Sequence, residues 1–137
     1  MSPSTDCPFC SIIAGVGAAT VVRRWEARRV IAIMPRHPVV PSTPDDTPGH
    51  VLVIPFEHVA NAGVDPAVSA RVMVCAAELA AELPAANIIT SLGADATQTV
   101  EHLHLHVVRR RAGDNVLLPW TPQHAAAYLA YREALAA

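Results

Sequence analysis

The chain has 137 residues, 52% of them hydrophobic, a formal charge of −2 and ten basic residues that are all arginine. That length suits one domain spanning 1–137, and the hydrophobic share is incompatible with disorder. The weak negative charge and the lack of a long uncharged apolar window argue against nucleic acid and membrane as partners; with no basic-then-apolar leader, a cytoplasmic location is expected.

In chain order, Cys7-x-x-Cys10 comes first, followed by a short helix over Phe9 to Ala14. With Cys75 the cysteines number three, and in a chain without an export signal a C-x-x-C pair points to metal or redox use before a structural disulfide. "ATVVRRW" and "RVIAIM" read as a β-hairpin turning near Glu26–Arg28. "PRHPVVPSTPDDTPG" carries five prolines and is a loop. "HVLVIP" is a buried strand ending at Pro55. Asp65-Pro66 is an N-cap with proline in the first helical position, and Val68, Val72, Cys75, Ala76, Leu79 and Leu83 recur at helical spacing up to Pro84. Cys75 is therefore a small buried apolar residue. "ANIITS" is a short strand, "LGADATQ" a turn and Thr99 to Val108 a strand. Thr121-Pro122 repeats the cap-then-proline pattern before a C-terminal helix over 123–135 within a tail of 121–137. Runs of strands broken by one long helix predict an α+β fold with an antiparallel sheet.

The stretch "TVEHLHLHVVRRR" is the most informative. In extended backbone His102, His104 and His106 share one face, while Leu103, Leu105 and Val107 share the other. Two alternate histidines alone would suit metal chelation. A third in phase, preceded by Gln98 and Thr99, adds polar groups suited to a small anion.

"QTVEHLHLHVV" resembles the signature of the histidine triad (HIT) family, three histidines alternating with apolar residues after Gln-Ser/Thr-Val. "PGHVLVIPFEH" resembles its second hallmark, and "CPFCSIIAG" the opening of its zinc-containing bacterial branch; the likeness covers roughly 7–115. The resemblance implies a HIT-like fold, with an antiparallel sheet of about five strands, one long helix, a short N-terminal helix and a C-terminal helix. It also implies a homodimer sharing one continuous sheet.

As chemistry, the resemblance implies a hydrolase or nucleotidyl transferase that cleaves at the α-phosphate of a nucleoside phosphoramidate or related nucleotide. His104 would form a covalent nucleotidyl-histidine. A neutral imidazole is a competent nucleophile near its pKa of ~6.5, provided an acceptor such as a backbone carbonyl holds the other ring nitrogen. By the same resemblance Gln98, Thr99, His106, His50 and Ser91 contact substrate and phosphate. Phe9, Ile12, Ile33 and Leu52 line the nucleoside pocket. Structural zinc would be held by Cys7, Cys10, His58 and His102.

The chain departs from the family pattern at several places. Pro35 stands where a ribose-binding aspartate is usual, Ser91 replaces an asparagine, and Thr97 a glycine. Asp45 and Asp46 lie in an inserted loop that could fold back over the site. Arg110 aligns with a family arginine, but the run Arg109–Arg111 reads as solvated charge. His37 and His124 match no motif and read as surface residues. Two rival readings stand beside the enzyme: a nucleotide-binding module with little or no turnover, and a metal-binding protein whose triad chelates.

Overall fold

A computed structural model describes residues 6–137, with the side chains of 122–125 and 128 outside the description. The elements are α1 (Pro8–Ile13), β1 (Val21–Trp25), β2 (Val30–Ile33), β3 (His50–Pro55), α2 (Pro66–Ala80), β4 (Ala86–Ile89), β5 (Leu105–Arg109) and α3 (Pro122–Ala136), with a short 3₁₀ turn at Ala94–Ala96. The five strands form one sheet in the order β1-β2-β3-β5-β4, and every neighbouring pair is antiparallel. The α+β architecture expected from the sequence, with a five-stranded antiparallel sheet, one long helix packed on it, a short N-terminal helix and a C-terminal helix, is the one observed.

The sheet is covered on both faces, which is why β2 and β3 are buried at every position. Val30, Ala32, Val51, Val53, Leu105 and Val107 point to α2 and pack on Val68, Val72, Cys75, Ala76 and Leu79. The alternate residues Ile31, Ile33, Leu52 and Ile54 point the other way and pack on Phe9 and Cys10 of the α1 segment. Asp65 caps α2 as the sequence predicts, its Oδ1 accepting from the amides of Ala67 at 3.1 Å and Val68 at 3.4 Å. The helix ends at Ala80, before Pro84; Leu83 lies beyond it and still packs on the core.

The inserted loop enters β3 through Gly49, where a Cβ would stand 2.3 Å from the Pro41 carbonyl oxygen. Only glycine permits that approach. In α3 the side chains of Leu129, Tyr131 and Leu135 are exposed, and that of His124 lies outside the described residues. Among the described residues no helix is long and apolar enough to cross a membrane.

The histidine strand is shorter than the alternation predicts. It pairs with β3 only from Leu105, opposite Val53. Continuing the register would set Leu103 against Pro55, which has no amide hydrogen to donate. Leu103 donates instead to the Val59 carbonyl at 2.7 Å, and Thr90 Oγ1 donates to the His104 carbonyl at 2.8 Å. The alternation of faces survives this departure: Leu103 is core under α2, while His102 is fully buried on the α1 side.

Candidate active site and metal centre

On the α1 face a cavity of about 820 Å³ is floored by a lateral row that crosses three strands, Ile33 of β2 beside Leu52 of β3 beside His106 of β5. Phe9 and Ile12 of α1 close one wall, and His50, His104 and Thr99 also face the space. The fourfold apolar set Phe9, Ile12, Ile33 and Leu52 is thus brought together beside three histidines.

The hydrogen bonds order the protons on these imidazoles. His104 Nδ1 lies 2.7 Å from the His102 carbonyl oxygen, to which it donates, so the lone pair of His104 sits on Nε2. The Val39 amide donates to His50 Nδ1 at 3.1 Å, which places the proton of His50 on Nε2. His50 Nε2 then donates to His106 Nδ1 at 2.9 Å, leaving His106 with an Nε2–H donor. One histidine carries a free lone pair and its neighbour a free donor. The two rings stand 5.1 Å apart.

Burial holds these groups neutral. It lowers the pKa of His50 and of His104 from the ordinary imidazole value. It pushes His106 down to about 4, aided by the positive charges that His104 and His50 would carry. His102 is likewise lowered to about 4, first by burial and then by His58 and His104.

A second cluster lies beside this cavity. Cys7, Cys10, His58 and His102 each aim one ligand atom at a common point, all within 4.8 Å of one another. His102 Nδ1 is 3.5 Å from Cys7 Sγ, 3.6 Å from Cys10 Sγ and 3.2 Å from His58 Nδ1; Cys10 Sγ is 3.3 Å from His58 Nδ1. His102 Nε2 donates to the Pro55 carbonyl at 2.9 Å, which turns the Nδ1 lone pair toward the cluster. Cys7 also caps α1, its Sγ accepting the Cys10 amide at 3.4 Å. These four residues could hold a metal ion.

Other residues lie elsewhere. Gln98 does not line the cavity: its amide donates to the carbonyls of Ala60 and Val100 at 2.6 and 3.0 Å and accepts from the Gly93 amide at 2.9 Å. Ser91 is half-buried just past β4 and also does not line it. Thr97, where the pattern favours glycine, adopts a left-handed φ of 67°. Asp46 borders a separate concavity on the α2 face with Leu79 and Glu82, and Asp45 is bonded to Thr43 and Thr47 of its own loop. The inserted loop therefore does not cover the histidines.

Arg110 departs from the expected solvated run. It bonds Asp114 through Nε at 2.8 Å and Nη2 at 3.2 Å, Asn87 Oδ1 at 2.7 Å and the Val116 carbonyl at 2.8 Å. Pro35 does line the cavity, together with Arg36 and His37; His37 is exposed, as the sequence predicts, and both Arg36 and His37 border the cavity from the surface. The amide of Val39 and the carbonyls of Pro55 and His102 were missed by sequence reasoning, because backbone groups leave no mark in residue identity.

The HIT domain profile matches residues 28–113. The chain is 34% identical to an uncharacterized HIT-like protein of Mycobacterium tuberculosis, an alignment that covers 95% of this chain and 93% of that one. Its fold superposes on a HIT family hydrolase from Clostridium thermocellum with a TM-score of 0.67 at 29% identity, covering 84% of this chain and 99% of that one. A hypothetical histidine triad nucleotide-binding protein from Sulfolobus tokodaii gives 0.65 at 26% identity, with coverages of 85% and 78%. With His104 and His106 of the alternating histidines in one cavity, His102 in the cluster beside it and the profile spanning most of the sheet, the chain belongs to the HIT family.

Proposed function

We propose that this protein hydrolyses or transfers a nucleotidyl group at the α-phosphate of a nucleoside phosphoramidate or related nucleotide, with His104 as the nucleophile. The observation that carries the reading is the His104 Nδ1–H bond to the His102 carbonyl, which leaves the Nε2 lone pair on a ring that lines the cavity. The similar proteins described as a hydrolase and as nucleotide-binding support the same class.

In this reading the nucleoside rests on Phe9, Ile12, Ile33 and Leu52, and its phosphoryl group lies over the histidines. His104 Nε2 bonds to phosphorus as the bond to the leaving group breaks, and the His102 carbonyl stabilises the positive charge that grows on the ring. The Nε2–H of His106, ordered by His50, donates to a phosphoryl oxygen. Water then displaces His104 and releases the nucleoside 5′-monophosphate. Thr99 adds a hydroxyl to the wall, while Gln98 acts by shaping the loop that presents Thr99 and Val100.

For the metal centre, a tetrahedral zinc site with bonds of about 2.0–2.1 Å to nitrogen and about 2.3 Å to sulfur has edges of about 3.3 Å (N···N) and about 3.6 Å (N···S). The observed 3.2 Å between the imidazoles and 3.3–3.6 Å between sulfur and nitrogen match that figure. Zinc would supply structure here, pinning α1 over the cavity. The proposal includes a homodimer joined along β4, whose four positions are all half-buried.

The test is a screen of nucleoside 5′-phosphoramidates and dinucleoside polyphosphates with His104→Asn beside the wild type. The variant should lose at least ~10³-fold in kcat while binding nucleotide within about tenfold, the pattern of a group acting chiefly in the transition state. Equal turnover by the variant contradicts the mechanism. Tight nucleotide binding with no wild-type turnover would favour the binding module.

A further inference from the structure

Among the described residues, Arg23, Arg24, Arg28, Arg29, Arg71 and Arg110 are paired with carboxylates. Arg36 lines the triad cavity, and among the described residues no hydrogen bond or ion pair engages it. Among the described residues, those lining that cavity include no Asp or Glu; the remaining ionisable ones are histidines. An exposed arginine therefore stands at the edge of the cavity, and no acidic side chain among the described lining residues neutralises it.

Its loop is held at both ends. The Met34 amide donates to the Thr20 carbonyl at 3.0 Å, and the Val39 amide donates to His50 Nδ1 at 3.1 Å. Pro35 and Pro38 flank Arg36 and His37 and fix φ on either side, so the backbone that carries the guanidinium is largely preorganised. Because Val39 belongs to this loop and bonds His50, the wall that bears Arg36 is keyed to the same hydrogen-bond chain that orders His106.

Position along the sheet selects the part of the ligand that Arg36 meets. Ile33 is two strands from His106, roughly 10 Å at about 4.8 Å per strand, and Arg36 follows three residues later on the same wall. In the proposed pose, a nucleoside laid from the histidines across Leu52 and Ile33 would turn one edge of its sugar to that wall. The guanidinium offers donors only, in a fork that matches phosphate oxygens, and cannot accept from sugar hydroxyls.

We infer that Arg36 forms a second phosphate subsite in this cavity, and that the preferred ligands are nucleotides with a phosphate on the 2′ or 3′ oxygen of ribose besides the one at 5′. The inference rests on the proposed nucleotide reading and specifies its substrate class.

Calorimetric titrations of the full chain at low ionic strength test it, with the 5′-monophosphate, the 5′-diphosphate and the 2′,5′- and 3′,5′-bisphosphates of adenosine and of guanosine. In at least one base series, one bisphosphate should bind about tenfold tighter than the 5′-monophosphate and the 5′-diphosphate. Arg36→Gln should bring that advantage within about twofold while leaving 5′-monophosphate affinity within about twofold. Equal affinity for mono- and bisphosphates in both series overturns the subsite, as does an advantage that survives Arg36→Gln. A 5′-diphosphate that binds as tightly as the bisphosphates overturns its placement at the sugar. If neither monophosphates nor bisphosphates bind, the nucleotide reading falls together with the subsite.

Discussion

Protonation of His106 inside the fold would place a charge in a cavity wall and break the hydrogen bond it accepts from His50. Its folded pKa is pushed to about 4, by burial first and then by the His104 and His50 charges, against 6.5 for a free imidazole. The unfolded chain takes up this proton below about 6.5 and the folded chain does not, so stability is full above that pH and is lost as pH falls toward about 4. The gap corresponds to at most about 3.4 kcal/mol, and solvent access to the half-buried ring reduces this to about 1–2 kcal/mol. Urea midpoints measured from pH 7 to pH 4.5 should fall, and His106→Asn should flatten that slope; an unchanged slope would place the pH dependence on other groups. Pro35 belongs to the same scale. Among the described residues no carboxylate lines the cavity to accept from ribose hydroxyls, so ribo- and 2′-deoxynucleoside 5′-phosphoramidates should react with kcat/KM within about fivefold. A clear ribose preference would require another acceptor, and Asp45 and Asp46 are excluded by their place on the far face. That Cys7, Cys10, His58 and His102 come together, and that His50, His104 and His106 share a cavity, agrees with the residues singled out in the sequence. Which nitrogen of His104 carries its proton was not legible there, because that depends on a carbonyl whose position only the fold defines.

At the scale of elements, local chemistry was the readable part. Asp65-Pro66 predicts the start of α2 because a cap acts within its own turn. The alternation from His102 to Val107 predicts which side chains share a face, but not the strand's length, since Pro55 in the partner strand ends the ladder. Arg110 was read as solvated because Asn87 and the Val116 carbonyl reach it only through tertiary structure. α1 gives this scale its prediction. Six residues make a marginal helix, and here it is tied to the sheet by Cys7 and Cys10 facing His58 and His102. Protein purified without added zinc should contain about one zinc per chain, and Cys7→Ser/Cys10→Ser should lose it. Because binding at a site formed on folding adds to the folding free energy, the metal-free protein should melt several degrees lower and be cleaved by protease ahead of Val21. Unchanged zinc content in the double variant would show that the ligands are other residues.

Across the whole molecule, the two sheet edges differ in a way that bears on assembly. β1 carries Arg23 and Arg24 and a register irregularity between Val21 and Arg23, features that discourage edge pairing. β4, "ANII", is uncharged and half-buried throughout. Sedimentation equilibrium at micromolar concentration should therefore return twice the 14.5 kDa chain mass; a single-chain mass would leave β4 as a free edge. The two-sided sheet also explains the division of labour around the triad, with α2 packed on Leu103, Leu105 and Val107 and α1 set against the histidine side. All of this geometry converges on one atom, Nε2 of His104. Rapid acid or alkaline quench of the wild-type protein with a reactive nucleoside 5′-phosphoramidate, followed by intact mass and peptide mapping, tests it most directly. The account predicts one nucleoside 5′-monophosphoryl group per chain on the peptide at His104, formed and lost at rates compatible with turnover. Hydrolysis that proceeds with no adduct, or an adduct on any other residue, would contradict it.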